Sequence, residues 1–242
     1  MKKIILSALV LVLLSACQYE ENDYQNRTVA LATVENPRQS TDFYLIPDNG
    51  GRLRVGSSVI PYYRPVDGQR IIADYSITAS TPQSSIYSHV VRLNDVYEVL
   101  TKGIFDITPS TQDSIGNDRV RINDIWISGN FLNIEFEFMG YNRVHYINLV
   151  KDAGKSYSDG KVHLEFRHNA NDDYTDFVKS GIVSFNLNSL RKDNDNKVSL
   201  VIHTNEFYNS DNTYELTYVY GTNPVSLSQK QIQMPVGNSA LQ

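Results

Sequence analysis

Histidines, carboxylates and serines decide what chemistry this chain of 242 residues could perform. The histidines are His89, His145, His163, His168 and His203. His163 and His168 lie five apart in and beside "KVHLEFRH", a stretch that alternates apolar and polar residues as a strand does. That spacing on a strand sends the two rings to opposite faces, so they do not converge on one metal without a bulge. The other three stand singly, and the ligand spacing of a zinc site is missing. No metal site, cofactor or catalytic residue is expected. A serine nucleophile wants an elbow such as G-x-S-x-G, and "VGSSV" at 55–59 has only the first glycine. A phosphate-binding glycine loop is missing too. Glu135 and Glu137 share a strand face about 7 Å apart, a separation a glycosidase pair could use. Both fall on the polar side of an alternating strand, however, rather than across a cleft. "NANDDYTD" (169–176) and "DNDN" (193–196) carry the oxygen ligands calcium takes, without the EF-hand glycine and terminal glutamate; turn chemistry explains them equally well.

The densest basic and aromatic stretch is "GRLRVGSSVIPYYRPVDGQR", residues 51–70. Arg52 and Arg54 share a strand face, Tyr62, Tyr63, Arg64 and Arg70 follow, and Asp67 is its only acid. Stacking rings and bidentate guanidinium groups suit a protein or glycan ligand, which makes these six the candidate ligand-binding residues. The alternative is that Tyr62 and Tyr63 close one end of a barrel while the arginines pair with acids such as Asp74 and Asp95.

Cys17 is the single cysteine. Lys2 and Lys3 precede an apolar run from Ile4 to Leu14, broken only by Ser7, and small residues Ser15 and Ala16 lead to the cysteine. That is the order of a secretory leader. As a helix the run rises only about 16 Å, half the roughly 30 Å of a hydrocarbon core, so it is too short for a spanning anchor. "Leu14-Ser15-Ala16-Cys17" resembles the lipobox of bacterial lipoproteins, which implies a leader over 1–16 and lipid on Cys17 as the first mature residue. The protein would then reside in the cell envelope, at the outer membrane, facing the periplasm or the surface, with its membrane partner reached through that lipid. Residues 17–27 follow as lipidated Cys and tether, the "QYEENDYQNR" segment reaching at most roughly 33 Å. Its acids Glu20, Glu21 and Asp23 loosely resemble surface-export signals, though a solvated linker accounts for them as well.

With 22 Lys and Arg against 27 Asp and Glu the net charge is −5, and loss of the two leader lysines makes it −7. Such a balance gives no pull toward nucleic acid or anionic lipid. A lone cysteine rules out an internal disulfide, so burial must supply the stability.

The elements that position these residues read as all-β. Residues 28–110 hold five candidate strands, at 28–34, 42–47, 52–56, 69–79 and 88–100, enough for a small OB-like barrel. In "QRIIADYSITA", Ile71, Ala73, Tyr75 and Ile77 form one face; Arg70, Ile72, Asp74 and Ser76 form the other, toward solvent or a partner. "PDNGG" supplies residues suited to positive φ between two strands. "FDITPSTQDSIGND", 105–118, reads as the linker. Residues 118–235 then carry seven strands for a two-layer antiparallel sandwich: 121–127, 143–150, 181–187, 197–204, "FLNIEFEFMG", "KVHLEFRH" and "TYELTYVYG". Inward residues are Leu132, Ile134, Phe136 and Phe138, then Val162, Leu164 and Phe166, then Tyr214, Leu216, Tyr218 and Tyr220. One short helix is expected within 172–181.

The leader together with "DGQRIIADYSI" (67–77), "VRLNDVYEVLTKGIF" (91–105) and "NDIWISGNFLNIEFEF" (123–138) resembles the NigD-like lipoproteins. The "LTK" at 100–102 and the register from Trp126 to Phe136 carry most of the likeness, which spans nearly the whole mature chain. The resemblance implies an N-terminal OB domain followed by a C-terminal β-sandwich. It also implies an accessory or immunity role associated with a bacteriocin operon, with no established catalytic residues; Cys17 is the one functional position it transfers. The expected function is a non-enzymatic, membrane-anchored envelope protein that binds a protein or glycan. A bacteriocin-associated immunity factor is the first alternative, and a hydrolase with dispersed catalytic residues the second.

Overall fold

The computed structural model describes residues 27–36, 42–220 and 241. Cys17, its leader and its tether lie outside the described residues. Five strands open the chain: β1 (Arg27–Glu35), β2 (Tyr44–Pro47), β3 (Leu53–Ser58), β4 (Arg70–Ser80) and β5 (His89–Glu98). They close into a barrel of order β1-β2-β3-β5-β4, with β4 returning to β1. The β3 to β5 pairing is parallel and the others antiparallel. Closure removes the unpaired edges of an open sheet. Strict alternation fills the interior: Ala30, Ala32 and Val34 from β1, Ile71, Ala73 and Tyr75 from β4, and Val91 and Leu93 from β5. Gly50 and Gly51, at φ of 96° and 85°, turn the chain between β2 and β3 as "PDNGG" demands.

The remaining elements are β6 (Leu100–Lys102), β7 (Ile104–Ile107), α1 (Gln112–Ile115), β8 (Arg121–Ser128), β9 (Phe131–Gly140), β10 (Tyr146–Asp152), β11 (Val162–Asn169), β12 (Phe177–Asn186), β13 (Lys197–Thr204) and β14 (Asn212–Val219). They form two layers, a five-stranded sheet of order β14-β13-β11-β10-β7 and a four-stranded sheet of order β6-β12-β9-β8. Between the layers lie Leu132, Ile134, Phe136 and Phe138 of β9, Leu164 and Phe166 of β11, and Leu200 and Ile202 of β13. Tyr218 is also buried there, and Tyr214, Leu216 and Tyr220 pack against this core.

All seven sandwich strands read from alternation are present, but two more join them. Residues 100–107, counted with the barrel and its linker in the sequence reading, are β6 and β7, and they enter opposite sheets: β6 pairs with β12 and β7 with β10. The barrel therefore ends at Glu98 rather than 110. Strands of three and four residues are too short to display a period, which is why this stretch reads as a connection. Both pairings are parallel, as is β11 with β13, so the sandwich is mixed rather than purely antiparallel. The short helix falls at α1, within 105–118. The segment 172–181 instead turns through Asn171 and Asp172, at φ of 55° and 53°, into β12.

Barrel and sandwich meet along the outer face of β1 and β4. Leu31, Ile72, Val99 and Ile182 form a small buried cluster there, with Val29, Tyr97 and Trp126 packed against it. Beside it lies a polar clasp. Arg70, 1% exposed, grips both oxygens of Asp48 at 2.7 and 2.8 Å. The same guanidinium donates to Asn133 Oδ1 at 2.9 Å and to Thr33 at 3.0 Å, and it lies 4.9 Å from the centre of the Phe131 ring. Trp126 Nε1 and Asn133 Nδ2 donate to Asp48 at 3.1 and 3.2 Å, and the Ser184 hydroxyl donates to Asn133 at 2.7 Å. A buried ion pair is tolerated only when its remaining donors and acceptors are met, and this one is completed by side chains of the opposite domain.

Candidate functional site

The structure disperses the six residues of the basic and aromatic stretch. Arg70 belongs to the interdomain clasp and reaches no surface, which corrects its placement among ligand-binding candidates. Arg52 donates to both oxygens of Glu35 at 2.8 and 3.0 Å and lies 3.8 Å over the Tyr44 ring. Arg54 pairs with Asp42 at 3.0 Å, which holds its guanidinium pKa above the ordinary value. Asp74, named in the alternative reading, is taken by Arg27 at 2.6 Å. Tyr63 packs on Phe43 at the barrel end, its hydroxyl donating to Gln69 at 3.2 Å; burial and then Glu98 push its pKa up to about 12. Arg64 is exposed, and Tyr62, 96% exposed at φ 63°, stands on the loop tip. Two members of the set, Tyr62 and Arg64, thus remain presented to solvent.

A concave polar surface lies elsewhere, on the outer face of the five-stranded sheet. Register aligns Phe105, Val150, Glu165, His203 and Thr213 in one row across β7, β10, β11, β13 and β14. Above this row is a cleft of about 250 Å³ lined by Lys155, Glu165, Arg167, His203, Asn205 and Asp211, among others. Alternation explains the composition: Val162, Leu164 and Phe166 of β11 face inward, so His163, Glu165 and Arg167 must face out.

Each wall is held by its own bonds. Glu165, 7% exposed, accepts from Lys155 Nζ at 2.7 Å through one oxygen and from Arg167 Nε at 2.8 Å through the other. Its hydrogen bond raises the Lys155 pKa. With both oxygens engaged by cations, Glu165 is a structural anion rather than a free base. The β13 to β14 turn is tied down by Glu206, whose Oε1 accepts from Thr204 at 2.9 Å, Asn212 at 2.8 Å and Tyr214 at 2.8 Å. Burial, then Glu206, pushes the Tyr214 pKa up to about 12. Asn205 donates from Nδ2 to the Asn117 carbonyl at 2.5 Å, while its buried Oδ1 has no partner among the described residues.

The histidines that sequence spacing set apart meet partners from other strands. His163 and His168 do leave β11 on opposite faces, His163 outward and His168 inward. His163 Nδ1 lies 2.9 Å from His203 Nε2 at the cleft rim. Inside, His168 Nε2 lies 2.7 Å from His145 Nδ1, and His145 Nε2 lies 3.1 Å from Asp173. Burial, then the neighbouring His145, pushes the His168 pKa down to about 4. Burial alone would raise the Asp173 carboxyl, yet the Tyr141 amide and the His145 ring hold it below the ordinary carboxylate range. The strand partners lie 23 and 40 residues away, so linear spacing carries no signal of either pair. The only sequence clue is the outward H-x-E-x-R set of β11.

Comparison with known proteins places this architecture. The NigD-like N-terminal OB domain matches residues 31–99, and the NigD-like C-terminal beta sandwich domain matches residues 103–218. A protein of unknown function, DUF1344, from Bacteroides vulgatus ATCC 8482 is 33% identical, with 83% of this chain and 98% of that one covered and a TM-score of 0.66. A protein described as toxin-related from Parabacteroides distasonis ATCC 8503 is 31% identical over 82% of this chain and 94% of that one, at a TM-score of 0.68. A NigD-like immunity protein from Bacteroides caccae ATCC 43185, 18% identical, shares the fold at a TM-score of 0.62 over 79% of this chain and 96% of that one. No curated protein matches. Two domain matches that divide the chain where the barrel ends, with two solved relatives above 30% identity, show that this chain belongs to the NigD-like family.

Proposed function

We propose that this chain is a non-enzymatic envelope lipoprotein, anchored through Cys17, that holds a polar ligand in the cleft on the outer face of the sandwich. The observation that carries this reading is the cleft itself: Lys155 and Arg167 of its lining are balanced by Glu165, which both of them bond, and Asp211, and Asn117, Asn205 and Ser210 complete a polar lining. Such a surface suits hydroxyl and amide groups, those of a sugar unit or a polar peptide segment. Its volume admits one such unit rather than a folded partner. A fold-level relative from Bacteroides fragilis NCTC 9343 is itself described as a lipoprotein. Among the described residues no helix is long and apolar enough to cross a membrane.

Glycan arrays and pull-downs from envelope extracts test the ligand. The expected result is a captured glycan or protein whose binding falls roughly 10-fold in Asn205→Ala, about 1.4 kcal/mol. Saturating screens that return nothing, or capture indifferent to Asn205, would sink the reading. Radiolabelled palmitate incorporation, abolished by Cys17→Ala, tests the anchor.

A second reading, self-protection against a toxin at the membrane, is favoured by the names of two solved relatives, one an immunity protein and one toxin-related. Deleting the gene should then sensitise the cell to its own bacteriocins, and unchanged sensitivity removes the idea.

A further inference from the structure

β6 and β7 are joined by Gly103 alone yet belong to opposite sheets, so the chain crosses the flank of the sandwich between them. The crossing leaves both neighbouring strands partly covered. β7 begins with Ile104 opposite Leu149 and lies along the Leu149–Asp152 half of β10, while β6 lies along Val183–Phe185 of β12. Both pairings are parallel, so 145–148 at the start of β10 and 177–182 at the start of β12 extend beyond them toward the same end of the sandwich. Continued backward along β10, β7 would face 145–148, but the residues that precede it are on the other sheet as β6. The five-stranded sheet therefore has a notch on this flank, and Tyr146, Phe177 and Val178 at these strand ends are exposed.

Leu241 sits in the notch. Its backbone forms a parallel bridge with His145, the same sense in which β7 pairs with β10. Its side chain packs against the sandwich core. Gly181 makes room for it: this glycine lies opposite Phe136, and a Cβ on it would be 2.7 Å from Leu241 Cδ1 and 3.1 and 3.2 Å from the Phe136 ring. The other wall is fixed by polar bonds. Buried His145 places Nε2 3.1 Å from Asp173 and Nδ1 2.7 Å from His168, and a Cβ on Gly140 would lie 2.9 Å from its ring. Asp173 in turn accepts from the Tyr141 amide at 2.5 Å. None of these bonds involves Leu241, so the backbone at His145 is presented by groups other than the occupant.

We propose that this notch is a strand-accepting site whose occupant is the segment of this same chain that carries Leu241, added parallel to β10 with the leucine as its anchor. Main-chain pairing on a sheet edge supplies affinity without regard to sequence, and a side-chain pocket supplies the choice of residue. Here the pocket is the space left by the missing Gly181 side chain beside a phenyl ring, which accepts a flexible apolar group and rejects a charged one. Filling it covers an edge that another chain could otherwise pair with. The notch shares no residue with the lining of the cleft, so its test is independent of the ligand reading above.

The test is amide hydrogen exchange read by NMR on the full chain in detergent. Leu241→Asp is expected to speed exchange across 145–148 roughly 10-fold while 198–202 of β13 keeps the parent rate, because losing one local pairing opens only that edge. Leu241→Met, apolar and flexible, should keep the parent protection. The parent should run as a monomer whose protection is unchanged over a roughly 100-fold dilution. Unchanged exchange in Leu241→Asp overturns the proposal, as does a rise shared equally by β13, which would mark general loosening. Parent protection that fades on dilution as a dimer dissociates also overturns it, and gives the notch to Leu241 of a second copy.

Discussion

Arg70 shows how far a side chain's type can mislead about its place. Its neighbours in sequence are basic and aromatic, and a lone arginine at the start of a strand reads as a surface residue. Yet its guanidinium is buried between the domains because Asp48, 22 residues earlier in the turn after β2, meets it there. Removing one member of such a pair strands the other charge away from water. Arg70→Ala is therefore expected to cost roughly 3–5 kcal/mol in urea denaturation. His168 supplies a pH dependence of known sign. Its pKa in the fold is about 4 against an ordinary 6.5, so between those values the unfolded chain binds a proton that the native chain refuses. Stability is expected to fall as pH drops through that window and to be insensitive to this group above it. Denaturation midpoints from pH 7 to 4 check this, and the slope should flatten in His168→Phe. The cleft residues were half legible: alternation puts Glu165 and Arg167 on one outward face, together with His163, but nothing in the sequence says that His203 comes to lie beside them.

Elements with a full period are readable one by one. β4, β9, β11 and β14 each carry apolar residues at every second position: Ile71, Ala73 and Tyr75, then Leu132, Ile134, Phe136 and Phe138, then Leu164 and Phe166, and Tyr218 are buried, Val162, Tyr214 and Leu216 are half-buried against the core, and Ile77, at the end of the β4 face, is exposed. Period failed where an element is short, at β6 and β7, or where a turn precedes a strand, at 171–177. The connection from α1 to β8 shows a different control. Gly116, at φ 74° and ψ 169°, occupies a backbone region open essentially to glycine alone, and a Cβ there would lie 2.7 Å from Asn169 Cβ and 2.9 Å from its Cα. Gly116→Ala is expected to destabilise by about 1–3 kcal/mol, read by thermal denaturation, through strain at the junction that presses α1 onto β11.

At the scale of the whole molecule, the clasp and the cluster of Leu31, Ile72, Val99 and Ile182 join barrel to sandwich. A buried joint of this kind couples the two units, so calorimetry is expected to show one endotherm. In Ile72→Asp, which places an unpaired carboxylate in that cluster, the single transition should split in two. Two endotherms in the parent would mean the units are energetically independent, and a single one in the variant would mean that their coupling does not rest on this cluster. The sequence by itself determined what depends on near neighbours: the all-β class, the alternating faces, the glycine turn and the order of barrel before sandwich. Each of these follows from the two-residue period of a strand and from local backbone preference. Only the tertiary structure decided which outward faces became interfaces. It turned Arg70, Ile72 and Asn133 into a domain joint, gave residues 100–107 to both sheets, and brought His163 to His203. Those outcomes rest on pairings across 22 to 114 residues, and a distance between strands is set by how the sheets pack, not by any spacing along the chain.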